Sequence, residues 1–587
     1  MSYGIQHTFV DGFQILIEKK ISLLLAHVSV QLPVSVVIFL IFASFYVVAG
    51  IELSAFYLSL FRYILVYLFA PIVLTFFFGI LAASLFGKKK IAILFIFFIW
   101  VAFGMINQEI FHDFFRQVTP DDPFSLLSIG THSMYTVYSS YIGFDLDLGN
   151  ELTLLFWIFL LSVVILLINL KWANVKWERQ VTGITVAMLL FLSIGAGYGA
   201  LQLNAHSFNT ASQTEETLYY EALEQEATDI NYEISQYEIE LSKNVVEATI
   251  TLSSSETRTP SFQLYHAYPV LQVFVDDKEV DYERNGDIIT LLIEQKSYDQ
   301  IQIIYQLKDS AFIPFRSGTS ILLANYAWYP KKVESQMYTK LHYLYQSDSH
   351  LSLNESRRGS DAYSFQIKAD NVLFTNLEEK GDTFEGEAQS VTLLRGEGNQ
   401  LTYKDYEVTY PSDWPKMERR VSEVISHWES IIHELNTIMI NERIDLPNQI
   451  VFSSDQLDSL FMDDHIIYQT HSMSPVNDFD TTKDFEKNLI NLAIDRRGSR
   501  EMFAEWVNLT SQFIRKELAL EIDLPGVSVE VLANNQELEI LLSRVYADFN
   551  QLNDKDKKQF LNNWYRQMDE SWTWSDVTKL MEEVGSE

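Results

Sequence analysis

LSAFYLSLFRYILVYLFAPIVLTFFFGILAASLFGKKKIAILFIFFIWVAFG, residues 53 to 104, decides the class of this chain. Arg62 alone interrupts the apolar run before Lys88, Lys89 and Lys90, and a second run follows at once. About 20 apolar residues cross about 30 Å of hydrocarbon, so such runs read as membrane spans. The stretch from Leu53 to Gly87 would be about 50 Å long as a helix, too long for one upright span and too short for two with a turn. It reads as one tilted span, with Arg62 at its outer end and Pro71 as a kink point, because proline removes a donor and clashes with the preceding turn. Working outward, apolar runs predict five spans at about 33–51, 57–87, 91–106, 153–170 and 181–202.

Basic residues set the expected direction. Lys19 and Lys20 precede the first span, Lys88, Lys89 and Lys90 follow the second, and Lys171, Lys176 and Arg179 lie between the fourth and fifth. The alternate segments carry acid: Glu52, and then Glu109, Asp113, Asp121, Asp122, Asp145, Asp147 and Glu151. Five crossings from a cytoplasmic N-terminus place the rest of the chain outside, in a multi-pass protein of the cell membrane. Residues 123–144, with their Ser, Thr and His content, read as a surface or re-entrant helix within 107–152 rather than a sixth span. The long first run with no small-residue cleavage site is unlike a cleavable signal peptide. Residues 5–27 place Ile5, Phe9, Phe13, Ile17 and Leu24 on one face, as an interfacial helix would, or simply extend the first span. Arg62 is the candidate functional charge inside the membrane, read as snorkelling to the interface; Trp172 and Trp177 read as interfacial anchors.

The chain has 587 residues and a net charge of −34. Up to Ala205 it holds ten Lys and Arg against eleven Asp and Glu, so about −33 of that charge lies beyond this point. An acidic body of this kind repels nucleic acid and anionic lipid over its whole surface. Cysteine is absent, which removes disulfides, thiolate metal sites and cysteine nucleophiles, and fits a bacterial surface somewhat better than a secretory pathway.

The expected domains are an N-terminal cytosolic or interfacial segment (1–30), the membrane part (31–205), an acidic helical stalk (206–244), a β-sandwich (245–410) and a helical domain (411–587). Residues 212–241 are polar and rich in helix formers. From Val245 the period changes to two, as in Val246, Ala248, Ile250 and Leu252, and again in Leu271, Val273 and Val275 before a turn at Asp276–Lys278. Short strands recur to about residue 410, the pattern of an antiparallel sandwich. Beyond Pro411, segments 415–438, 482–495, 499–520, 534–552 and 555–584 carry helical spacing.

No G-x-x-x-x-G-K-[ST], G-x-S-x-G or H-E-x-x-H occurs. His433-Glu434-Leu435-Asn436-Thr437 has threonine where a second imidazole would be needed. His427 and His433, six apart, fall on different helix faces and read as surface residues. Asp463, Asp464, His465 and His471 could hold a divalent cation, but read first as a solvated acidic loop.

Two resemblances can be named on these residues. The strands with NYAWYPKK (325–332) and SFQIKADNVLFTNLEEKGDTFEGEAQSVTLL (364–394) resemble the amino-terminal sandwich of aminopeptidase-N-like, gluzincin-type metallopeptidases. The helical part then stands where their catalytic domain would, and LINLAIDRRG (489–498) with EMFAEWV (501–507) are the counterparts of the zinc helix and third-ligand segment. The resemblance puts Asn491 and Asp495 at the two imidazole positions, Leu492 at the general base and Glu501 at the third ligand. It implies a pseudopeptidase with neither catalytic residues nor a metal or cofactor, hence a chain that is no enzyme. The membrane part resembles the permease subunits of type 2 ATP-binding-cassette exporters. That implies a separate cytosolic ATPase, a second permease chain or second copy as partners, and outward transport of an amphiphile, peptide or lipid-like compound. A membrane-anchored peptide-binding or sensing protein, and a membrane metallopeptidase with a rearranged site, are the alternatives.

Overall fold

The computed structural model describes residues 12–87, 89–103, 126–127, 138–139, 141–144, 146, 148–170, 173, 175–203, 219–220, 232–255, 259–293, 298–308, 313, 315–316, 318–333, 338–341, 350–353, 361–440, 442–453, 459–469, 485–518 and 536–586. Two compact units result, one containing residues 1–213 and the other most of 214–587.

Four helices of the first unit are long and apolar enough to cross a membrane: Ile15–Ala49, Ala55–Phe86, Leu148–Leu170 and Lys176–Leu201. The expected span at 91–106 is described as a helix over Ile91–Phe103. The first helix runs from Gly12 to Ala49 and carries Pro33 inside it. The stretch read as one tilted span is indeed continuous, and Pro71 is absorbed by a π-turn at Leu65–Phe69, where the Ala70 N–H reaches back to Leu65 O. One wider turn re-satisfies backbone groups that the proline would otherwise strand in hydrocarbon.

Polar contacts at the two ends set how these helices run. Lys20, near the start of the first helix, donates from Nζ to Ser84 Oγ (3.0 Å) and Asn169 Oδ1 (2.9 Å), at the ends of Ala55–Phe86 and Leu148–Leu170. Near the starts of those two helices, Arg62 donates to Glu151 Oε1 from Nε (2.8 Å) and Nη2 (2.5 Å). They are therefore parallel to each other and antiparallel to the first. Arg62 is thus held by a carboxylate from another helix, rather than snorkelling alone as expected.

Lys89 N–H bonds Phe86 O (3.1 Å), so the chain enters Ile91–Phe103 at the Lys20 end. By Tyr138 and Phe144 it is beside Phe56, with rings 5.4 and 5.6 Å away, at the Arg62 end. Lys176–Leu203 then returns antiparallel to its predecessor, with Ser193 Oγ donating to Phe156 O (3.1 Å). The chain thus enters the bundle at the Lys20 end and leaves it at the Arg62 end.

The second unit is rich in sheet, then helical. Its eight-stranded sheet places Tyr232–Ser242 at the centre, antiparallel to Val245–Ser255 and parallel to Tyr363–Ala369. Tyr232–Ser242 corrects the expected stalk, whose residues 206–231 lie outside the description except for Tyr219 and Tyr220. Tyr232 and Ile234 and, beyond a bulge, Tyr237, Ile239 and Leu241 face inward, an alternation hidden by glutamates that favour helices. Tyr237 stacks on Phe365 at 5.0 Å, and Trp328 donates to Val391 O (2.9 Å), so the NYAWYPKK stretch is core. The expected turn is present, with Asp276 and Asp277 at positive φ between Val270–Val275 and Lys278–Glu279.

The part beyond Pro411 is not purely helical. Strands Gly398–Tyr403, Tyr406–Pro411, Gln449–Ser453, His465–Gln469 and Leu460–Phe461 form one sheet, three of them parallel, so the expected boundary at 410 cuts through it. Buried on both faces, they read as short apolar runs without alternation. Helices Met417–Ile438, Phe485–Ala493, Arg500–Glu517, Gln536–Gln551, Asp554–Gln567 and Trp574–Ser586 surround a core containing Trp428, Trp506 and Trp564. The expected single helix at 555–584 is two, parted at Met568–Thr573.

One close approach in the bundle depends on glycine. A Cβ at Gly197 would lie 2.9 Å from Phe156 Cδ2, whereas at Gly195 it would meet nothing within 4 Å. Gly197→Val should therefore cost the bundle about 1–3 kcal/mol, lowering the thermal unfolding midpoint of the purified chain in detergent, and Gly195→Val should leave it unchanged. Equal effects would show that the two helices do not pack through this glycine.

Candidate functional site

The four positions matched to a zinc site lie on Phe485–Ala493, on the turn after it and on Arg500–Glu517. Leu489, Ile490, Ala493 and Ile494 turn inward, so Asn491 and Asp495 are exposed and Leu492 packs at the edge of the core. The Asp495 carbonyl accepts from Tyr565 OH (3.0 Å). Glu501 is exposed in the first turn of the next helix, which Ser499 caps by accepting the Met502 N–H (3.3 Å). An amide, an alkyl group and two carboxylates include no imidazole, so these residues do not fit a zinc ion. Among the described residues no group of three or more His, Asp or Glu could hold a metal. No step through zinc is derived.

The same two helices carry buried charge that the sequence left unnoticed. Glu486 is buried between His427 Nε2 (3.0 Å from Oε1) and Arg515 (Nη1 2.9 Å from Oε2). Burial drives its carboxyl up, but the hydrogen bonds from His427 and the backbone, with the Arg515 charge, outweigh this and hold it below its ordinary value. His427 is thus a half-buried hydrogen-bond partner of Glu486, correcting its reading as a surface residue; His433 is exposed as expected. Nearby, Tyr546 donates to the buried Glu505 (2.6 Å) and accepts from Asn508 Nδ2 (2.7 Å). Burial, then the Glu505 charge, pushes the Tyr546 phenol far up, so it remains a fixed donor. The only advance sign was acid at Glu486 and Glu505 in step with inward-facing apolar residues.

His465 corrects a second expectation. Asp463 is exposed and Asp464 partly exposed in the turn after Leu460–Phe461, as expected, but His465 begins a buried strand. Thr392 Oγ accepts from the Ala324 N–H (3.0 Å) and shares a hydrogen bond with His465 Nε2 (2.8 Å), and His465 Nδ1 lies 2.6 Å from Asp464 Oδ1. Asn376 Nδ2 holds the other Asp464 oxygen (2.6 Å). Hydroxyl, imidazole and carboxylate stand in the order of a nucleophilic triad. Thr392 and His465 are wholly buried, however, so no substrate reaches the hydroxyl, and the array joins Thr392 and Asn376 to the mixed sheet. His471 lies outside the described residues.

Asp413, between a strand and the helix Met417–Ile438, has its Oδ1 buried without a hydrogen-bond partner among the described residues. Burial pushes its carboxyl up to about 6. In the membrane part, Lys19, Lys89, Lys90, Lys176 and Arg179 are exposed, while Lys88, Lys171 and Trp172 lie outside the description; Trp177 is exposed.

Comparison with known proteins finds no matching family profile and no matching curated sequence. Among solved structures, an M1 zinc metallopeptidase from Deinococcus radiodurans is similar at 9% identity and a TM-score of 0.37, covering 62% of this chain and 93% of its own. Legionella pneumophila aminopeptidase A, in complex with aspartic acid, gives 11% and 0.34 with 62% and 49% covered. Native yeast LTA4 hydrolase gives 8% and 0.34 with 63% and 70% covered. These matches correct the expectation that the chain is no enzyme. By their descriptions, the structures returned are peptidases and a hydrolase.

Two outcomes follow for the described groups. Asp413 binds its proton more tightly folded than unfolded, so its contribution is full below its ordinary 3.8 and is lost as pH rises through about 6. Asp413→Asn should therefore raise unfolding free energy at pH 8 by about 2 kcal/mol and leave it little changed at pH 4, measured by denaturant titration. Arg515→Met, which leaves Glu486 buried with its charge half-compensated, should cost about 3 kcal/mol at neutral pH. The loss should shrink as pH falls through the depressed Glu486 value, and a pH-independent loss would mean that packing rather than charge is at stake.

Proposed function

We propose that this chain is a permease-type membrane subunit of an exporter driven by a separate cytosolic ATP-binding-cassette ATPase, with its peptidase-like part held outside the cytoplasm. The observation that carries this reading is the gathering of basic residues at one end of the bundle. Lys20 is bonded to Ser84 and Asn169, and the chain continues from those two helix ends into Lys89, Lys90, Lys176 and Arg179. Lysine and arginine are retained on the cytoplasmic side during insertion. The end so marked offers short basic surfaces to an ATPase, while the chain leaves Leu203 from the other end. The absence of any P-loop motif supports a division of labour in which ATP is hydrolysed elsewhere. The exposed apolar flanks of Gly12–Ala49 and Ile91–Phe103 suit lipid or a second permease chain.

Affinity purification of the intact chain from its native membrane should bring down an ATP-binding-cassette ATPase, and added protease should clip the chain beyond residue 210 in intact cells. Purification without an ATPase, together with peptide binding by the intact chain, would favour the membrane-anchored peptide-binding reading instead. Protection of the region beyond 210 in cells, with digestion in lysates, would reverse the orientation.

A further inference from the structure

Lys20 presents an electrostatic imbalance that its neighbours do not settle. Its ammonium is half-buried where three helices meet, and both of its acceptors, Ser84 Oγ and Asn169 Oδ1, are neutral. Those acceptors are set in advance. The Ser84 hydroxyl donates to Ile80 O (2.7 Å) and Asn169 Nδ2 to Ile165 O (2.5 Å), which turns an oxygen lone pair of each toward Lys20. Two of three ammonium hydrogens are thereby used, and among the described residues no carboxylate forms an ion pair with it. A cation held part-way out of water without a counter-charge is unfavourable, and a tight anion relieves it. Among the described residues the surrounding charges do not supply one. Lys19 and Glu18 are exposed beside it, Lys89, Lys90, Lys176 and Arg179 add positive charge, and Glu178 accepts from the Val175 N–H (3.5 Å).

We propose that Lys20, moored by Ser84 and Asn169, binds the phosphate of an anionic phospholipid. The third ammonium hydrogen is donated to a phosphate oxygen, while Ser84, whose hydroxyl hydrogen is engaged, and Asn169, whose oxygen faces the ammonium, aim the lysine. Lipid is favoured over free phosphate by what flanks the site. Ile21, Leu23 and Leu25, on the turns that follow Lys20, are about half exposed and offer apolar surface to acyl chains beside the headgroup. A net negative headgroup is favoured over a zwitterionic one, whose own cation the adjoining lysines and arginine repel. The inference requires only that the bundle lie in a bilayer and does not depend on the exporter reading.

The test uses the full chain in nanodiscs of phosphatidylcholine, with and without phosphatidylglycerol, reading the thermal midpoint and the phosphatidylglycerol retained in native mass spectrometry. The natural chain should be stabilised by phosphatidylglycerol and retain it. Lys20→Gln, which keeps hydrogen-bond donors and removes the charge, should need roughly fivefold more or beyond for the same rise, and Lys19→Gln should behave as the natural chain. Ser84→Ala, which keeps the charge and removes one mooring, should retain several-fold less lipid, so the test stays decisive if Lys20→Gln does not fold. An unchanged response in Lys20→Gln or Ser84→Ala overturns the proposal, as does an equal loss in Lys19→Gln, which would mean diffuse charge. The same stabilisation by inorganic phosphate in phosphatidylcholine discs would assign the site to the free anion and overturn the lipid. None of these results alters co-purification of an ATPase, so the two readings fail separately.

Discussion

Everything in the first unit depends on one constraint, that a backbone inside hydrocarbon must satisfy its own hydrogen bonds. Ala55–Phe86 shows how far the constraint reaches, because Pro71 is accommodated by widening one turn instead of breaking the helix. The same constraint pushes polar side chains to the ends of the bundle. There, Lys20 gathers Ser84 and Asn169, and Arg62 meets Glu151. Those two contacts define the mutual direction of the helices, and hence from which end the rest of the chain emerges.

The second unit uses charge differently. Glu486, Glu505 and His465 are buried, and each is compensated by named partners rather than by solvent. Removing a carboxylate from water is costly unless its oxygens are occupied, so these groups lock neighbouring elements together where apolar contact alone would tolerate sliding. Arg515 and His427 tie two helices to a third through Glu486. Thr392, Asn376 and the pair Asp464–His465 fasten sandwich residues to the mixed sheet. The triad-like order at Thr392 shows that geometry without access is architecture.

Legibility in the sequence followed the strength of periodic signals. Apolar runs of span length, the alternation from Val245 to Leu252 and the amphipathic stretches beyond Pro411 were readable because each element repeats its own burial. Tyr232–Ser242 was misread because Glu233, Glu238 and Glu240, which favour helices, occupy its outward positions, where the solvent face of a central strand accepts them. The parallel strands Gln449–Ser453 and His465–Gln469 are too short and too uniformly buried to show a period. Glu486 and His427, 59 residues apart, had no local signature at all.

The sequence by itself determined that the first third holds helices apolar enough to cross a membrane, that a single helix would run through Pro71, and that sheet would precede helix in the acidic remainder. These are consequences of transfer free energy and backbone satisfaction, which act residue by residue. Only the tertiary structure decided that Arg62 faces Glu151, that Lys20 joins three helices, that Asn491, Asp495 and Glu501 lie at the surface, and that His465 is sealed in a core. Those outcomes depend on which side chains meet across distances of tens to more than a hundred residues, and pairing at that range is set by the packing of whole elements.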